Sequence, residues 1–148
     1  MNTLLQREFV TVRKSPAQYL DELRMALLHL HKVLLEIERV SYEKIYGRVS
    51  GGELLQLIIQ DRQFSWLRPI LEIVVQIDEL LDVEGPVEGG HVRLLSTRAL
   101  DLLVPSETSG DFARNYHLAL QSDPEVVLAH RAVRRILTTS GRTPASNG

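Results

Sequence analysis

The sequence predicts an all-α fold, a single-domain helical bundle of five or six helices with two long spine helices. Three observations carry that prediction. Leu20, Leu23, Leu27, Leu30, Leu34 and Ile37 recur at alternating spacings of three and four, the repeat of one helical face. Leu67, Ile70, Val74, Ile77 and Leu81 do the same in a second stretch. Nowhere does the chain alternate apolar and polar residues at a period of two, the signature of a half-buried strand.

Ser15-Pro16 supplies a helix start, with Ser as N-cap and Pro in the first turn. From there one helix is expected to run to Tyr46, where Gly47 ends it. Its apolar line continues through Ser41 to Ile45, and its opposite line, from Gln18 to Glu43, alternates charges as a solvated face does. Such a helix spans about 45 Å at 1.5 Å per residue, so its end is expected to overhang the bundle and to need a partner. Ser50-Gly-Gly-Glu53 has the form of a capping box, followed by a short buried helix from Leu54 to Ile59. Asp61 is expected to cap the central helix, 61–82, and Pro69 within it predicts a kink or break near Ser65. Residues 83–90 read as a loop, and His91 to Val104 as a helix stopped by Pro105. A helix over 111–121 and a last one from Glu125 to about Thr138, capped by Asp123-Pro124, complete the bundle. Residues 1–14 form an N-terminal arm in this reading, 15–139 the bundle and 140–148 a disordered tail.

The composition excludes several function classes. With no Cys there is no disulfide, thiolate nucleophile, iron–sulfur cluster or Cys-based zinc site. A net charge of −2 gives no general attraction to nucleic acid, and no run approaches the roughly 20 apolar residues of a membrane span. The N-terminus lacks the apolar core of a secretory signal, so a cytoplasmic location is expected. The five His show no helical metal-ligand spacing, no GxSxG motif is present, and Gly51-Gly52 lacks the spacing and Lys of a phosphate loop. No cofactor, nucleic-acid or membrane partner is therefore predicted.

Polar residues beside the apolar faces are the remaining candidates for chemistry. Glu38 and Tyr42 lie one turn apart on the flank of the first helix, and Phe64, Trp66, Arg68 and Asp78 lie along the central stretch. If the two flanks meet, Arg68 pairs with Glu38 and a half-buried polar pocket results, suited to a small anion. The competing reading is an interhelical ion pair that only sets register. His31, followed by Lys32 on a long helix, has the setting of a phosphotransfer histidine, but Val33, Leu34 and Leu35 leave no small residue for a partner to approach. Arg131, Arg134 and Arg135 gather near the end of the last helix, where the helix dipole favours cations.

The segments SGGELLQLIIQD (50–61), FSWLRPILEIVVQIDELLD (64–82) and SDPEVVLAHRAVRRIL (122–137) resemble a bacterial family of small all-helical proteins with no assigned function. The resemblance covers roughly residues 20–138, with FSWLRP and the run Leu71 to Glu79 its most specific part. It implies a bacterial helical domain and transfers no functional residue. The expectation is a non-catalytic protein-interaction or regulatory module acting as a homodimer. The alternative is a small-ligand-binding protein or enzyme with its pocket between the first and central helices.

Overall fold

The structure, a computed structural model, describes residues 14–142, with side chains described as far as Thr139. Residues 1–13 of the expected arm and 143–148 of the expected tail lie outside the described residues. Among the described residues the fold is all-helical. Its elements are α1 (Pro16–Tyr46), α2 (Gly51–Gln60), α3 (Arg62–Ser65), α4 (Arg68–Asp82), α5 (Gly89–Leu102), α6 (Asp111–Ser122) and α7 (Pro124–Arg142).

α1 starts where Ser15 and Pro16 predict. The Ser15 hydroxyl accepts from the Gln18 N–H at 3.1 Å, and the Gln18 side chain accepts from the Ser15 N–H at 2.9 Å. Two otherwise unpaired donors of the first turn are thereby satisfied. Gly47 ends the helix at φ 87°, a left-handed conformation that side chains disfavour. The alternating face is solvated as expected: Arg39 pairs with both Glu36 and Glu43, and Lys14 with Glu22 at 2.7 Å.

The core forms around the first two-thirds of α1. Leu20, Leu23, Leu27, Leu30 and Leu34 are essentially unexposed. They sit in one cluster with Ile70, Val74 and Ile77 of α4, Leu95 and Ala99 of α5, Tyr116 of α6, and Val126, Val133 and Leu137 of α7. Fully burying one such aliphatic side chain contributes about 1.5–3 kcal/mol, so this face holds the bundle together. α1 packs chiefly on α7 and α4. α4 lies antiparallel to it, because Arg24 near the start of α1 meets Asp78 late in α4, while Tyr42 near the end meets Phe64 just before α4. α7 begins beside the second half of α1 and runs back along it. The Tyr19 hydroxyl meets that of Ser96 at 2.7 Å and ties in α5.

Three expectations need correction. The central stretch is not one kinked helix but two, α3 and α4, separated at Trp66 and Leu67. Pro69 has no N–H to give and its ring clashes with the turn before it, so it stands in the first turn of α4, where neither matters. This break raises the helix number above the expected five or six and leaves α4 with 15 residues, fewer than the 19 of α7. The spine is therefore α1 flanked by α7 and α4. Secondly, α2 is a helix with the expected Ser50–Glu53 capping box, yet not one of its residues is buried. Thirdly, α5 begins at Gly89 and α7 runs to Arg142, two residues past the expected tail's start at 140.

Candidate functional site

The six candidate residues fall in four separate places. Glu38, Tyr42 and Phe64 come together where α3 crosses the last part of α1. Tyr42 packs edge-on against the fully buried Phe64, ring centroids 5.6 Å apart, and against Tyr46 at 4.5 Å. The Gln63 amide donates to the Glu38 carbonyl at 3.3 Å and lies close enough to favour the charged carboxylate. Burial outweighs that help and raises the Glu38 pKa above the usual carboxylate value. Gln63 is the member of this cluster that the sequence reading omitted. Asp61 caps α3 by accepting from the Gln63 N–H at 2.8 Å, which sets where the Gln63 side chain starts.

Arg68 takes no part in this cluster. It is exposed, and its guanidinium donates to the Ile59 carbonyl at 2.9 Å, satisfying a free acceptor at the end of α2. Among the described residues no ion pair joins it to Glu38. Trp66 turns to another side and meets Phe112 of α6, centroids 5.5 Å apart. From there a row of rings continues through Tyr116 to His130. Burial keeps the Tyr116 phenol protonated, and its hydroxyl is hydrogen-bonded to His130 Nδ1 at 2.6 Å. Asp78 lies well along α4, paired with Arg24 at 2.5 Å on a shallow acidic surface shared with Glu79 and Asp82. Among the described residues, the expected anion pocket is therefore not assembled, since Arg68, its expected cation, is held at the Ile59 carbonyl.

His31 is 8% exposed, its pKa lowered by burial, and its Nε2 has no hydrogen-bond partner among the described residues. A phosphotransfer histidine must present its ring, so that role is excluded. Among the described residues no three His, Asp or Glu side chains gather as metal ligands, and no helix is long and apolar enough to cross a membrane.

Two surfaces around the end of α1 stand out instead. The core-facing line of α1 has its last buried member at Leu34, yet it continues to Ile45, which is 72% exposed beside Tyr46. α2 adds Leu55 and Ile59, both more than half exposed, and the half-buried Leu54, Leu57 and Ile58. Glu43 holds this end in place, accepting from Arg39 at 2.6 Å and from the Val49 N–H at 2.9 Å. The Val49 hydrogen bond first, and then Arg39, keep its carboxyl below the usual range. On the other side of α1 an open groove of about 580 Å³ runs between the helix and the α6–α7 turn. Val33, Ile37 and Val40 give it an apolar strip, and Lys32, Lys44, Asp123 and Glu125 line its rim. The sequence held one signal for the first surface. Five aliphatic residues among the six positions 54–59 cover more of a helix than one neighbour can bury.

Comparison with known families, curated proteins and solved structures returned no match. The functional reading therefore rests on the geometry.

Glu38 gives a direct check of the α1–α3 cluster. A carboxyl whose folded pKa is raised favours the fold below the unfolded value near 4.5 and loses that contribution as pH rises through the folded pKa. Glu38→Gln is therefore expected to raise the thermal midpoint at pH 7 and to leave it nearly unchanged at pH 4, as read by circular dichroism melts.

Proposed function

We propose that this chain is a non-catalytic helical module that acts by binding protein through the α1–α2 end, with a second copy of itself as first partner. The observation that carries this reading is α2, an aliphatic helix of ten residues with none buried. It is joined to the length of α1 whose apolar line outruns the core. Surface apolar residues scattered singly need no explanation, but Ile45 and Tyr46 at the end of α1 and Leu55 and Ile59 on α2 are four exposed large apolar residues within fifteen positions of the chain. A helix end of this kind is held by its caps and by the Glu43 and Arg68 contacts, so it offers a preorganised surface, not a frayed one. The ligand-site alternative counted on Arg68 beside Glu38 and Tyr42, whereas Arg68 holds the Ile59 carbonyl instead. The cytoplasmic location and the bacterial family resemblance belong to the same proposal.

Sedimentation equilibrium of the full chain tests it. A mass that rises with concentration above the 16.8 kDa of one chain is expected. A mass that stays at one chain up to the solubility limit contradicts it.

A further inference from the structure

The groove beside α1 and the bare faces of α2 are complementary, and we propose that the groove of one copy receives α2 of another. This rests on the self-association proposed above and names the contact that produces it. α2 cannot fill the groove of its own chain. Tyr42 meets Phe64 of α3, the helix on which α2 packs, and Val40 lines the groove. Two residues apart on a helix of 3.6 residues per turn, they point to opposite sides. Arg68, gripping the Ile59 carbonyl, keeps α2 where it is.

Dimensions, polarity and charge then match between copies. α2 is about 15 Å long, and the groove follows α1 from His29 to Lys44, about 22 Å. Val33, Ile37 and Val40 follow one another at spacings of four and three, a strip against which Leu55 and Ile59 can lie. Glu125 on the groove rim and Arg62 just beyond α2 have opposite charges. Neither has an ion-pair partner among the described residues of its own chain. The contact joins two different surfaces, so it is heterologous. It is also small, at or below roughly 1,200 Å² in total, which calls for measurement at high protein concentration.

Complementation decides between this contact and a symmetric one. Val40→Asp alters the groove alone, and Leu55→Asp with Ile59→Asp alters α2 alone; all three positions are exposed, and helical content checks that each variant folds. In sedimentation velocity each variant alone is expected to run as one chain, and an equimolar mixture as a pair, because one partner keeps its groove and the other its α2. Glu125→Lys is expected to weaken association several-fold, and Arg62→Glu in the same chain to restore part of it. If the α2 variant dissociates while Val40→Asp associates like the wild type, the helix meets something other than the groove. The same holds if the mixture stays monomeric. Either result overturns this contact while leaving self-association standing. A wild-type chain that is monomeric throughout removes both.

Discussion

Leu27→Ala is expected to destabilise the fold by about 2–5 kcal/mol, whereas Ile45→Ala, on the same line of the same helix, changes monomer stability by no more than about 0.5 kcal/mol. The two positions are about five full turns apart and so share one azimuth on α1. Leu27 is fully buried in the cluster shared by α4, α5, α6 and α7, and truncating it leaves a cavity that its neighbours fill only in part. Ile45 is 72% exposed, so little surface changes environment when it is shortened. Urea denaturation at low protein concentration, where chains are dispersed, gives both values.

His31→Leu is expected to stabilise the chain, by about 1–3 kcal/mol at pH 7.5, the scale of leaving a buried polar group unpaired. Nε2 of His31 is such a group, on a ring 8% exposed beside the leucine face of α1. Burial lowers its pKa from the ordinary 6.5, so the unfolded chain binds the proton more readily than the folded one. Stability contributed by the neutral ring is therefore present above pH 6.5 and lost as pH falls below it toward the folded pKa. The gap between variant and wild type should widen from pH 7.5 to pH 5. His130, also lowered by burial and by nearby Arg134, retains its own acid sensitivity in both proteins, so the variant flattens the profile without abolishing it.

What could be read from the sequence was local. Ser15, Ser50, Asp61 and Asp123 each bind N–H groups of the turn they precede, and residue order alone identifies such caps. Pro69 signalled a discontinuity, although the chain resolves it by restarting the helix, not by bending it. Burial was not local. Periodicity shows which side of α1 or α2 is apolar, but covering that side requires another element to be present there. For Leu34 one is, and for Ile45 none is. The candidate site failed for the same reason. Arg68 and Glu38 lie on facing flanks in projection, but the break at Trp66 and Leu67 sends Arg68 to the α2 carbonyl and Trp66 to Phe112.

Central to this account is that the exposed end of α1 and α2 is a contact surface and not simply the edge of the bundle. Amide hydrogen–deuterium exchange at two protein concentrations tests that most directly. Protection over residues 51–60 and 37–46 should rise with concentration, while residues 16–34, already within the core, exchange alike at both. Identical exchange of 51–60 at the two concentrations would contradict it.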